Sequence, residues 1–181
     1  HKQGVTDHLH RVAMIQAGIN HLGRTSIDYT DIESDRANFT IHTLSDLRVR
    51  YPGHRLIWIM GDDVLNTIHT WEDWTQLLDL CHFYVVRRTL EHTPIAVTKQ
   101  LDAFQTYHSE EIFTSPSGAV YIDDSRIFPS ISSTDIRKKI QIGESIADLV
   151  PPSVEEYLEA HPELYQNQDI FDSSQGISPP T

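Results

Sequence analysis

Six consecutive residues, Ser132-Ser133-Thr134-Asp135-Ile136-Arg137, combine three hydroxyls with an arginine one turn further on, at a point where the polarity pattern starts a helix. A helix start exposes unpaired backbone N–H groups and the positive end of its dipole. Hydroxyls, N–H donors and a guanidinium converging there suit phosphate oxygens. The same residues also suit a plain helix cap with Arg137 in solvent. Gly61-Asp62-Asp63 follows a short apolar run. A carboxylate at a strand end could hold a ribose hydroxyl or a metal while the glycine lets backbone approach a ligand, or the triplet could be a turn with an aspartate cap. Trp71 lies between elements, where it could stack on a flat heteroaromatic ring or fill core space. The pair Arg87-Arg88 ends another apolar run and could neutralise a phosphate or sit on the surface.

Other chemistries find no support. The eleven histidines are scattered without the i, i+4 spacing of a zinc-binding helix, so no protein-only metal site is expected. Neither G-x-S-x-G, C-x-x-C, Walker A nor G-x-G-x-x-G occurs. The lone Cys81 reads as a packed core thiol and allows no intrachain disulfide.

The elements that would position these residues follow from periodicity. Leu9, Val12, Ala13, Ala17 and Ile19 predict an amphipathic helix over 6–22, capped by Thr6 or Asp7 and closed by Gly23. Residues 26–30 alternate like a strand, and Ile41, Leu44 and Leu47 mark a helix ended by Tyr51-Pro52-Gly53. Residues 56–60 read as a buried central strand. A short helix to about Ile68 and another from Thr70 through Leu78, with Asp73 as a capping-box acid, precede a strand over 82–86. Thr93-Pro94 opens a helix to about Phe104, and 119–122 form a strand. A helix from Ser132 through Ile140 is terminated by Gly143, and Ser153-Val154-Glu155-Glu156 forms a capping box for the last helix. The polar tail from about Gln166 is expected to be disordered. Alternating strands and helices predict an α/β fold with a doubly wound, mainly parallel sheet and helices on both faces, with ligands beyond the carboxyl ends of the strands.

The 181 residues are enough for one domain with a real core, expected over 1–165. A formal charge of −12, with only 14 Lys and Arg, argues against nucleic acid or anionic membrane as a partner. With neither a long apolar run nor a signal-like start, a soluble cytoplasmic protein is expected.

Taken in order up to Tyr165, the segments resemble the bacterial nicotinate-nucleotide adenylyltransferases. The most specific stretch is Ile131-Ser132-Ser133-Thr134-Asp135-Ile136-Arg137, then Gly143-Glu144-Ser145, Leu149-Val150-Pro151, Val154-Glu155-Glu156-Tyr157-Leu158 and Leu164-Tyr165. The I-S-S-T-x-x-R piece marks the wider superfamily of Rossmann-like nucleotidyltransferases. Asn38-Phe39-Thr40-Ile41-His42-Thr43-Leu44 resembles the family's S-Y-T-x-x-T-L, Gly61-Asp62-Asp63 its G-x-D, and Trp71 the tryptophan beside the pyridine ring.

The resemblance implies a Rossmann-like fold and adenylyl transfer from ATP to nicotinate mononucleotide, giving nicotinate adenine dinucleotide and pyrophosphate in NAD biosynthesis. Ser133 and Arg137 would be catalytic. Ser132, Ser133, Thr134 and Arg137 would grip the ATP phosphates, with Ile131 near the adenine and Gly61 and Asp63 at a ribose. Thr40, Trp71 and Arg88 would hold the nicotinate nucleotide. His1-Lys2 resembles the end of the family's P-P-H-K loop, which puts His1 on the substrate side and Lys2 toward ATP phosphate. Magnesium is expected to arrive with ATP, and assembly into a homo-oligomer is left open.

Three departures stand out. Thr89-Leu90 follows Arg88 where the family has Pro-Gly, and Asn38-Phe39 replaces Ser-Tyr. The family's opening strand and G-G-T-F-D-P-x-H-x-G-H loop have no counterpart, and no H-x-G-H occurs in the 181 residues. The expectation is that the sheet lacks its first strand and that the residues as given transfer adenylyl groups poorly without an upstream segment. A non-catalytic nucleotide-binding remnant, or a sister adenylyltransferase acting on phosphopantetheine, are the competing readings.

Overall fold

A computed structural model describes residues 6–34, 37–88 and 99–165. His1, Lys2, Thr89-Leu90, the start of the helix predicted at Thr93 and the polar tail lie outside the described residues.

The described residues pack as two compact units, one drawn from 1–28 and 131–181 and the other from 29–130. In the first, α1 (His8–Ile19) starts where the Asp7 carboxylate accepts the Leu9 N–H at 2.8 Å. It ends at Asn20, short of Gly23, and the left-handed residue beyond it is Arg24. Its predicted apolar stripe is only partly used. Leu9 is 68% exposed, whereas Met14 joins a cluster with Ile146, Leu158 and Tyr165.

The second unit opens with α2 (Thr30–Glu33) and α3 (Thr40–Arg50), the latter buried through Ile41 and Leu44 as its spacing predicts. The predicted strand over 26–30 does not form. A strand needs a ladder partner, none of the described strands pairs with it, and Thr30 already belongs to α2. Then come β1 (Ile57–Gly61), α4 (Asp62–Leu65), α5 (Leu77–Leu80), β2 (His82–Arg87), α6 (Lys99–Asp102), β3 (Gln105–Thr106) and β4 (Val120–Ile127).

All four strands are parallel, in the order β1-β2-β4-β3, with helices around them, as in a Rossmann-like α/β fold. Trp58, Met60, Phe83, Val85, Val120 and Ile122 contribute to the core from one face, with Leu44, Leu65, Ile68 and Leu77 opposite them. The predicted central strand, β1, instead lies at an edge of this four-stranded sheet. Its side chains alternate, so Ile59 is 68% exposed while Met60 is buried. Asp73 makes no capping box. Its backbone is left-handed at φ +47°, and a 3₁₀ turn over 74–76 precedes α5.

Back in the first unit, α7 (Ser133–Gln141) is closed by Gly143 at φ +71°, a conformation that suits glycine. The last helix, α8 (Pro152–Ala160), begins one residue before Ser153 because Pro152 occupies its first turn. The predicted capping box is absent. Ser153 Oγ instead donates to the Ala17 carbonyl at 2.8 Å, tying α8 to α1. At the same crossing a Cβ on Gly18 would stand 3.4 Å from Val154 Cγ2, an ordinary van der Waals contact.

Candidate functional site

Two groups of predicted site residues take shape, one in each unit. In the first, Ser132 is the N-cap of α7: its Oγ accepts the Asp135 N–H at 3.1 Å, and the Asp135 carboxylate accepts the Ser132 N–H and hydroxyl at 3.2 and 2.5 Å. The Ser132 hydroxyl, then the Ser132 N–H, hold the Asp135 carboxyl below its ordinary range. The box satisfies the N–H of Asp135 and leaves those of Ser133 and Thr134, at the first two helical positions, pointing out of the helix. Both side chains are exposed. Arg137, half-buried one turn on, donates Nη2–H to Thr134 Oγ1 at 3.1 Å. Ile136 and Ile140 pack into the cluster around Leu158, which fixes the direction of the helix start. The result is an anion-ready surface of two N–H groups, two hydroxyls and one oriented guanidinium. Ile131, half-buried, leads into it.

In the second unit the carboxyl ends of β1 and β2 bring Gly61, Asp62, Asp63, Arg87 and Arg88 together. Asp62, which the sequence marked only as part of the triplet, is the structural member. It is 3% exposed, and its Oδ1 accepts the N–H of Asp63 at 3.0 Å and of Arg88 at 3.2 Å, clasping the two strand ends. Asp63 points outward instead, 52% exposed, and meets Arg88 Nη1 at 3.3 Å. The backbone passes close beneath this pair. A Cβ on Gly61 would lie 2.2 Å from Asp63 Oδ1 and 2.7 Å from Arg88 Cδ, so residue 61 leaves no room for a side chain while the pair keeps this geometry. Arg87 turns away to pair with Asp124.

Sequence reading missed Asp123 and Tyr84, which share the sheet face behind these ends. Tyr84 Oη donates to Asp123 Oδ2 at 2.8 Å, and the Ser125 N–H donates to Oδ1 at 2.9 Å. The Ser125 hydroxyl first, then the Tyr84 hydroxyl and the Ser125 N–H, hold the Asp123 carboxyl low against its burial. Donation to that carboxylate raises the Tyr84 hydroxyl. The available signal was the acidic pair Asp123-Asp124 just after an apolar run.

Thr40 is the first residue of α3 and half-buried. Trp71 ends a 3₁₀ turn, its N–H donating to the Ile68 carbonyl at 3.0 Å, and its half-buried indole packs against the core. Trp58 and Trp74 also line that core. Cys81 is fully buried, and burial pushes its thiol up to about 12, so it is an inert packing group. Among the described residues no three His, Cys, Asp or Glu side chains cluster as a metal cage, and no helix is long and apolar enough to cross a membrane.

A family model described as cytidylyltransferase-like matches residues 1–139. A protein of Pseudoalteromonas atlantica named probable nicotinate-nucleotide adenylyltransferase is 33% identical over 170 residues, covering 92% of this chain and 76% of its own length. Its namesake from Yersinia enterocolitica is 36% identical over 155 residues, covering 82% and 69%. Among solved structures, Plasmodium falciparum nicotinic acid mononucleotide adenylyltransferase complexed with NaAD aligns with a TM-score of 0.59 at 18% identity, over 91% of this chain and 78% of that one. A putative nicotinate-nucleotide adenylyltransferase from Vibrio parahaemolyticus aligns at 0.57 and 17% identity, over 92% and 76%. These two show the fold; the sequence relatives, with the family match, show that the chain belongs to the nicotinate-nucleotide adenylyltransferase family within the cytidylyltransferase-like proteins.

Proposed function

We propose that this chain transfers the adenylyl group of ATP to nicotinate mononucleotide, releasing pyrophosphate and forming nicotinate adenine dinucleotide in the biosynthesis of NAD. The observation that carries this reading is the start of α7, where outward N–H groups, two exposed hydroxyls and Arg137 converge in a chain of net charge −12. In a protein so acidic, donors for an anion gathered at one helix start support an anionic ligand there.

In the proposed reaction the 5′-phosphate oxygen of nicotinate mononucleotide attacks the α-phosphorus of ATP. A new P–O bond forms as the bond to the β-phosphate bridging oxygen breaks, and the electron pair leaves on pyrophosphate. Such transfers depend on positioning and on stabilising charge at phosphate oxygens. Arg137 and the N–H groups of Ser133 and Thr134 would take that charge, with Ile131 beside the adenine. Gly61 gives close backbone approach, and Asp63 would accept from a ribose hydroxyl once Arg88 turns to the nicotinate nucleotide, with Thr40 and Trp71 at the same substrate. Magnesium, held by ATP's own phosphate oxygens, would neutralise part of their charge. We place this chemistry in a soluble, cytoplasmic protein whose ligands are small molecules.

The test is pyrophosphate release by the intact protein given ATP, magnesium and, in separate reactions, nicotinate mononucleotide, nicotinamide mononucleotide or phosphopantetheine. Fastest release with a pyridine mononucleotide is expected, led by the nicotinate form. Release no faster than with ATP alone in all three would overturn the catalytic reading, and preference for phosphopantetheine would overturn the substrate.

A further inference from the structure

At the amino-terminal ends of the strands, opposite to Asp62 and Asp63, a cavity of about 190 Å³ is lined by Arg48, His54, Arg55, Thr114 and Ser115, with no carboxylate among its lining residues. We propose that this cavity is a binding site for a small phosphate-type anion.

The cationic groups are held in place by backbone. Arg48 donates Nη1–H to the His54 carbonyl at 2.6 Å and Nη2–H to the Leu80 carbonyl, which fixes its guanidinium at the cavity wall. Arg55 donates Nε–H to the Ser115 carbonyl at 3.2 Å. That bond orients the fork and leaves both Nη groups of Arg55 without an acceptor among the described residues. His54 is steadied by its edge-to-face contact with Tyr51, centroids 5.6 Å apart. The Ser115 carbonyl also accepts from His82 Nε2 at 3.1 Å, so its lone pairs face donors and do not oppose an anion.

Two further observations agree. The chain carries 26 acidic and 14 basic residues, so a cavity lined by two arginines and no acid runs against its composition. Burial first, and then the charges of Arg55 and Arg48, lower the neighbouring His82 imidazole, so both guanidinium charges reach this spot. Size selects the ligand class. Pockets for drug-sized molecules measure roughly 300–1,000 Å³, so this one suits inorganic phosphate or pyrophosphate and not a whole nucleotide. A planar guanidinium whose two Nη groups have no acceptor among the described residues matches a pair of phosphate oxygens.

The experiment is an amide-resolved NMR titration of the intact protein with inorganic phosphate, using chloride at equal ionic strength as control and pyrophosphate and AMP as parallel probes. Saturable shifts at the amides of residues 53–55, 114 and 115 are expected with phosphate or pyrophosphate and not with chloride. Arg55→Glu should weaken them roughly fivefold or more, and Arg55→Gln by less; Arg55 is exposed, and preserved signal dispersion checks the fold. Arg137→Ala should leave them unchanged. Shifts confined to residues 132–137, equal shifts with chloride, indifference to Arg55→Glu or tighter binding of AMP than of phosphate would each overturn the proposal.

Discussion

Arg137 is the residue whose removal should separate binding chemistry from packing. Its contact to Thr134, at 3.1 Å, lies on the helix surface, while the core-facing side chains of α7 are Ile136 and Ile140. Losing a charge-assisted contact costs about 1.5–3 kcal/mol, so Arg137→Ala should raise the ATP requirement or lower turnover roughly tenfold or more at little cost in stability. Steady-state kinetics beside a denaturation curve reads both, and unchanged kinetics would refute the assignment. His82 offers a test of a different kind. It is fully buried, the Ala119 N–H donates to its Nδ1 at 3.1 Å, and its Nε2–H therefore donates to the Ser115 carbonyl. Burial lowers the imidazole below its ordinary range, with the two arginine charges reinforcing and the Ser115 bond opposing. The folded state therefore takes up this proton less readily than the unfolded chain, whose histidine titrates near ~6.5. The contribution is whole above that pH and is lost as pH falls below it toward the folded value. The urea midpoint should drop as pH falls below about 6.5, and His82→Gln should flatten that part of the profile; an identical slope in both proteins would count against it.

The elements differ in how openly the sequence announced them, and Trp71 shows why. Its place between two short turns, after Thr70, marked it as a loop tryptophan, but periodicity could not say which face the indole covers. The structure packs it half-buried against the core cluster. Trp71→Ala should then weaken nicotinate mononucleotide far more than ATP and cost less than the ~3–5 kcal/mol of a core tryptophan truncation; equal loss for both substrates, measured by separate titrations, would remove it from the pyridine side. The helices α3 and α7 were legible because their signals are local: Ile41 and Leu44 at helical spacing, and a serine three residues before an aspartate. Ser153 carried a similar local signal and misled, because Pro151-Pro152 starts α8 earlier and the hydroxyl finds Ala17, 136 residues away in sequence. The failures at 26–30 and at Asp73 have the same origin. A strand exists only with a partner, and a capping acid only with a backbone conformation, and neither is written in a window of five residues. The two-residue β3 lay below any periodicity. Among the candidate site residues, the grouping of Gly61, Asp63 and Arg88 was visible as strand ends, whereas the clasp by Asp62 depends on β1 and β2 lying side by side.

On the scale of the whole molecule, charge and function pull against each other. The chain carries a net −12, and its proposed first substrate, ATP, is itself an anion. Far from the surface ATP meets the sum of all charges, which repels it; at the proposed site it would meet Arg137 and the start of α7, which would attract it. These two regimes respond differently to salt. The Debye length falls from about 30 Å at 0.01 M to about 8 Å at 0.15 M ionic strength, so added salt erases the distant repulsion while a contact at hydrogen-bond distance is screened far less. Electrostatic steering ordinarily makes association fall as salt rises. Here the sign should reverse: the ATP association rate, followed by stopped-flow fluorescence at fixed magnesium, should rise roughly twofold to tenfold between those two ionic strengths, with a smaller change in dissociation. Arg137→Ala should keep the rising slope, because the repulsion belongs to the whole chain, while its dissociation rate increases. An association rate that falls with salt in the unmodified protein would mean that a local basic field governs the approach of ATP, and that the net charge has no hand in it.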